Sequence, residues 1–130
     1  MEIARSMYDE IVAHAVADAP DECCGIIASR NGRATQVYRA VNTAHSPLKY
    51  VIDPKDLLRI YSAIDDDDCE LGAIYHSHTR SPPYPSQTDI NLATWPEALY
   101  VIVGVHGPEP LVRAFRIVDG KVEEAELSVV

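Results

Sequence analysis

A chain of 130 residues with 47% hydrophobic content is sized for one domain spanning its whole length, burying roughly two-thirds of the surface exposed when unfolded. Its formal net charge of −9, from 20 acidic against 11 basic residues, argues against a partner held by its phosphate backbone, so no nucleic-acid partner is expected. No run approaches the roughly 20 apolar residues that span a bilayer, and the charged N-terminus lacks a secretory apolar stretch; a cytoplasmic protein without a membrane partner is expected.

In chain order, residues 6–19 read as a helix: Met7, Ile11, Ala15 and Val16 recur near helical spacing, Ser6 and Asp9 resemble a capping box, and Pro20 stops it. Residues 24–28 form a short apolar strand, Asn31-Gly32 a tight turn, and residues 35–40 the returning strand. Asp53 and Pro54 supply the cap and first position of a second helix, with Leu57, Leu58, Tyr61 and Ile64 on one face. Its end is expected before Asp65-Asp66-Asp67-Asp68, whose charge opposes the negative end of the helix dipole. That run reads as a solvated turn, since it lacks the glycine and spaced ligands of a calcium loop.

Strands follow at 71–75, 99–105, 112–118 and, after the turn at Asp119-Gly120, 122–129. The pattern is that of an α+β domain, with strand order left open. Cys23, Cys24 and Cys69 form neither a disulfide framework nor a CxxC knuckle, and read as reduced thiols packed like small hydrophobes.

The segment from His76 to Asp89 carries the chemistry. His76 and His78 stand at the end of a predicted strand, where positions i and i+2 share a face and two imidazoles can reach one ion. A proline-rich loop leads to Ser86, and if Ser86 caps a helix, Asp89 lies in its first turn and can swing back toward the histidines. Two histidines, an aspartate and one open position make a catalytic rather than a structural zinc site. Each piece also has an ordinary explanation, a hydrogen-bonded edge histidine or a plain capping box; their co-occurrence is what points to a metal. His14, His45 and His106 suit surface or supporting roles better than ligation, and Tyr84 and Trp95 are explained as well by packing as by a substrate groove.

The pattern His-x-His, seven residues, Ser, two residues, Asp resembles the JAMM motif of the MPN-type metallopeptidases. Upstream, residues 20–27 (Pro-Asp-Glu-Cys-Cys-Gly-Ile-Ile) resemble the family's helix-to-strand junction, and Asn42-Thr43-Ala44 and Tyr50-Val51-Ile52-Asp53-Pro54 resemble its bacterial members. The resemblance implies a JAMM/MPN-like, cytidine-deaminase-like domain: a mixed sheet flanked by helices. It also implies one Zn²⁺ per chain held by His76, His78 and Asp89, with Glu22 as catalytic base and Ser86 steadying the developing oxyanion. Only the family pattern brings Glu22 to the metal.

Many JAMM proteins have proline after the second histidine, where this chain has Thr79. The departure costs no ligand and points to small bacterial, Mec-type members. Those act on a ubiquitin-like sulfur-carrier protein bearing cysteine on the last glycine of its Gly-Gly tail. Two alternatives share the motif: a non-catalytic MPN-like scaffold, and a RadC-like protein associated with DNA repair. The second lacks support, because Ser77 stands between the histidines and the chain is acidic.

Overall fold

The computed structural model describes all 130 residues and contains eight strands and three helices. In chain order these are β1 (Glu2–Ile3), α1 (Arg5–Asp18), β2 (Cys24–Arg30), β3 (Arg33–Ala40), α2 (Pro54–Asp66), β4 (Glu70–His78), α3 (Gln87–Leu92), β5 (Leu99–Gly104), β6 (Leu111–Val118), β7 (Lys121–Ala125) and β8 (Ser128–Val129). They form one mixed sheet in the order β7-β6-β5-β4-β2-β3-β1-β8. β4 lies in its middle, antiparallel to β2 and parallel to β5. β7 and β8 sit at opposite ends of that order, yet only Glu126 and Leu127 separate them in the chain. The sheet must therefore curl until its ends approach one another.

Strand alternation sorts the side chains onto two faces. Ala73 and Tyr75 of β4 pack with Ile27, Val101 and Val103 against Ile11 and Ala15 of α1. Ile74 packs with Ile26, Ile102 and Phe115 against Ile60 and Ile64 of α2. Gly25 lies across from Tyr75, and a Cβ there would run into the Tyr75 ring and the Tyr38 carbonyl. The expected α+β fold with a mixed sheet flanked by helices is what forms. None of the helices is long and apolar enough to cross a membrane.

Several local expectations are corrected. α1 begins at Arg5 with Ala4 at its cap and no side-chain cap bond, so Ser6 and Asp9 both lie within the helix and make no capping box. α2 runs on through Asp65 and Asp66, because burial of Ile60 and Ile64 outweighs a dipole penalty that water screens around exposed carboxylates. Its buried side is Leu57, Ile60 and Ile64; Leu58 is 71% and Tyr61 48% exposed. The last strand breaks after Ala125, and Ser128–Val129 instead pairs with β1, a strand too short for periodicity to reveal.

His14 is buried in α1: its Nδ1 lies 2.7 Å from the Tyr75 hydroxyl, and its Nε2 lies 3.3 Å from Asp18 Oδ2. Burial, the largest influence, holds the imidazole below its ordinary pKa, so the neutral ring accepts from Tyr75 and donates toward Asp18. Tyr75→Phe keeps the packing and strands a buried acceptor. It should cost about 1–3 kcal/mol, read as a lower midpoint in urea unfolding with an unchanged slope.

Candidate metal centre

The two histidines extend the α2-facing row of β4 beyond Ile74, at the strand's C-terminal end. Opposite His76 stand Cys24 of β2 and Ile102 of β5, and opposite His78 stands Gly104, where β5 ends. Gly104 is small for a reason: a Cβ there would sit 2.8 Å from Pro83 Cδ, so the buried Pro83 is laid directly over the glycine. That seats the proline-rich loop beside β4 and brings the Pro82 carbonyl 2.9 Å from His78 Nδ1, with Ser81 Oγ at 3.3 Å.

The loop ends at Ser86, which caps α3 reciprocally. Its hydroxyl accepts from Asp89 N–H at 3.0 Å, and its own N–H donates to Asp89 Oδ2 at 2.9 Å. The cap draws the Asp89 carboxylate back over the strand end. Asp89 Oδ2 then lies 3.2 Å from His76 Nε2 and 3.0 Å from His78 Nε2, and the two imidazole nitrogens are 3.2 Å apart. All three residues are buried. Ser86 itself stays exposed at the rim; because its oxygen accepts the cap bond, its proton remains available to donate outward.

This arrangement suits a cation. The Pro82 carbonyl accepts a hydrogen bond from His78 Nδ1–H, which in the neutral ring leaves a lone pair on Nε2 directed at a carboxylate oxygen and at a second imidazole. Such a convergence is repulsive unless a proton or a metal ion stands in it. Without metal the proton goes to His78: burial opposes its charge, but hydrogen bonding to Asp89 and Pro82 outweighs burial and raises the imidazole pKa. Burial dominates at the fully enclosed His76 and keeps it below its ordinary value. Burial also works against the Asp89 anion, yet hydrogen bonds from both histidines carry its carboxyl far below the usual range. Two imidazoles and one carboxylate are a donor set that a divalent ion with nitrogen and oxygen preference takes up.

Glu22 precedes β2 and is buried, and its Oε1 has no hydrogen-bond partner. Burial pushes its carboxyl from an ordinary 4.5 up to about 8; the charges of His78, which lowers it, and Asp89, which raises it, both act on it. Its backbone is tied at both groups: Glu22 N–H donates to the Ser46 carbonyl at 2.9 Å, and its carbonyl accepts from Asn42 Nδ2 at 3.0 Å. Two further bonds fasten this segment to the strand that carries the histidines. Cys23 N–H donates to the Ser77 hydroxyl at 2.8 Å, and Thr79 Oγ1 donates to the Pro20 carbonyl at 2.8 Å. The hydroxyl of Thr79 therefore anchors the Glu22 segment.

Composition and spacing had not singled out two residues that the structure places here. Tyr50 stacks on the His76 ring with centroids 4.4 Å apart, and the buried Asn42 satisfies four backbone groups around the site. His14 lies on the other face of the sheet and His45 and His106 are exposed, so none of the three joins the cluster. Both buried cysteines have thiols pushed up to about 12 by burial, which leaves them protonated and inert.

A raised carboxyl pKa has a defined effect on stability. The folded protein keeps the Glu22 proton over a range where the unfolded chain gives it up. Stability from this source is complete below about pH 4 and is lost as pH rises toward about 8. Between those limits the metal-free protein should lose melting temperature, and Glu22→Gln should flatten the decline. Parallel melting curves of parent and variant across that window would refute the assignment.

Residues 4–118 match the family model described as prokaryotic homologs of the JAB domain. The chain is 40% identical over 131 residues to a CysO-cysteine peptidase of Mycobacterium tuberculosis, covering 98% of this chain and 90% of that one. It is 38% identical over 120 residues to a probable TtuB-protein conjugate cleaving protease of Thermus thermophilus, covering 92% and 77%. A solution structure of a protein from Desulfitobacterium hafniense superposes with a TM-score of 0.89 at 28% identity, covering 100% of this chain and 93% of that one. With a buried His-His-Asp cluster standing where the motif requires it, the chain belongs to the prokaryotic JAB family and is a JAMM-type peptidase.

Proposed function

We propose that this protein is a zinc-dependent peptidase that hydrolyses the amide bond after the C-terminal glycine of a ubiquitin-like sulfur-carrier protein, releasing cysteine or a similarly small amine. The observation that carries the proposal is the convergence of His76 Nε2, His78 Nε2 and Asp89 Oδ2 in one buried corner within electrostatic reach of a Glu22 carboxyl that lacks a partner. All five motif residues being present argues against a non-catalytic scaffold, and an acidic chain argues against a RadC-like role on DNA. Three unpaired cysteines fit a reducing cytoplasm.

His76, His78 and Asp89 would hold the ion, two through neutral nitrogens and one through an anionic oxygen. Bound zinc supplies Lewis acidity and brings the pKa of water down to about 7. The protein's own groups do the rest. Glu22 takes the proton of the attacking water and returns it to the departing nitrogen; a cation held by the cluster would draw its carboxyl down from about 8. Its lack of a hydrogen-bond partner leaves it free for that exchange. The Ser86 hydroxyl, held by its cap bond, donates to the scissile carbonyl oxygen as negative charge gathers there. The hydrogen bonds from Asn42, Ser46, Ser77 and Thr79 keep the base and the ligands in one frame.

The substrate assignment draws on the relatives. One is named a CysO-cysteine peptidase and another a probable TtuB-protein conjugate cleaving protease, so both names describe the cleavage of a conjugate. A glycine tail suits a site at a strand end, because only a residue without a Cβ lets the backbone approach closely.

The purified protein should contain about one zinc per chain, and His76→Ala combined with His78→Ala should abolish it. Glu22→Gln should cut turnover by roughly 10²–10⁴-fold while zinc content stays near that of the parent. Unchanged turnover would move the base to another residue. For the substrate, product formation should be compared by mass spectrometry between a carrier–cysteine adduct and a linked ubiquitin dimer. The carrier adduct should win, and a bulky residue replacing its last glycine should hurt more than a changed leaving amine. Preference for the dimer would sink the carrier assignment and leave the peptidase chemistry standing.

A further inference from the structure

The two histidines of the centre are held by different means. His78 Nδ1 is bonded to the Pro82 carbonyl at 2.9 Å, which sets both its tautomer and its ring plane. His76 Nδ1 is buried and has no hydrogen-bond partner. An imidazole that ligates a metal ordinarily donates its second N–H to a carboxylate or carbonyl, and that bond aims the ring. His76 lacks it.

The Tyr50 ring lies against the His76 ring instead, with centroids 4.4 Å apart and planes 22° apart. Tyr50 is not part of the sheet; it belongs to the connection between β3 and α2, where a lone aromatic would be free to turn away. It is not free here, because Asn42 grips the chain on both sides of it. The Asn42 amide donates to the Lys49 carbonyl at 3.0 Å and accepts from Val51 N–H at 3.0 Å. Val51 is held again by Thr43 N–H donating to its carbonyl at 2.9 Å. The same Asn42 amide donates to the Glu22 carbonyl at 3.0 Å, so one buried side chain registers the Tyr50 segment against the segment bearing the proposed base. Tyr50 also lines an apolar groove of about 240 Å³, with Leu57, Leu92 and Trp95 on its walls.

We propose that Tyr50 is a positioning residue for the metal centre: pinned by Asn42, its ring fixes by stacking the plane of the one ligand imidazole whose Nδ1 no hydrogen bond holds. The inference rests on His76 being a metal ligand. What the site requires at position 50 is therefore a flat ring, and the phenol hydroxyl is dispensable.

The test uses the full chain, with zinc affinity measured by competition against a fluorescent chelator and the visible spectrum of the cobalt-substituted protein as a second readout. Tyr50→Phe should bind zinc within about twofold of the parent and leave the cobalt bands unchanged. Tyr50→Leu and Tyr50→Met should bind roughly tenfold more weakly, as outer-shell losses do, with shifted cobalt bands. Two apolar replacements are used so that one failing to fold leaves the other to decide. A purely structural role for Tyr50 would lower stability in both and leave the cobalt spectrum alone. Parent-like affinity and spectrum in the folded Leu or Met variant overturns the proposal while the zinc centre stands. A parent chain that takes up no zinc overturns both.

Discussion

Three potential ligand atoms, His76 Nε2, His78 Nε2 and Asp89 Oδ2, are crowded within 3.2 Å of one another in a buried corner, and their lone pairs repel wherever no proton or cation lies between them. A cation or a proton must stand among them. Much of the surrounding structure consists of the means by which the chain holds these atoms there against their repulsion. β4 supplies stiffness, since it is hydrogen-bonded on both sides by β2 and β5. The capping box at Ser86 supplies the third atom by bending the Asp89 carboxylate back onto its own helix terminus. A single carboxylate thereby serves two purposes, satisfying the Ser86 N–H and completing the cluster.

The polar groups around the cluster follow the same economy. Buried amides and hydroxyls are tolerated only where their hydrogen bonds are made, and here several of them join segments far apart in the chain. Cys23 to Ser77 spans 54 positions and Thr79 to Pro20 spans 59. Asn42 closes a shorter circuit, tying the Glu22 segment to the residues flanking Tyr50. The two atoms left without partners, Glu22 Oε1 and His76 Nδ1, are both at the site. In a domain this well satisfied, such orphans mark where chemistry or a compensating contact takes over. For Glu22 it is the proton transfer proposed for it, and for His76 it is the stacked ring of Tyr50.

The curl of the sheet bears on the site as well. Bringing β7 round toward β8 lets Leu127 and Val129 join the core beside α1. The α2-facing side of the central strands is then left to α2, α3 and the loops that carry the site. One face is structural, with His14 of α1 bonded to Tyr75 of β4, and the opposite face carries the converging atoms of His76, His78 and Asp89.

What the sequence by itself determined is what short-range physics controls. Period-two alternation put His76 and His78 on one face, the three-residue spacing of Ser86 and Asp89 predicted their cap, and Asp53-Pro54 marked the start of α2. These features rest on hydrogen bonds and side-chain directions within a few residues, so they can be read in order along the chain. The same local rules misplaced the start of α1 and the end of α2, where packing of Ile11, Ile60 and Ile64 overrode a weak capping or dipole preference. Tertiary structure alone decided the strand order, the pairing of β8 with β1, and the approach of Glu22 to the histidines. It also brought Asn42 and Tyr50, in segments that resemble bacterial family members but carried no assigned role, against the site. Each of these depends on contacts across many intervening residues, whose entropic cost is met only when the whole sheet forms, and no local pattern records them.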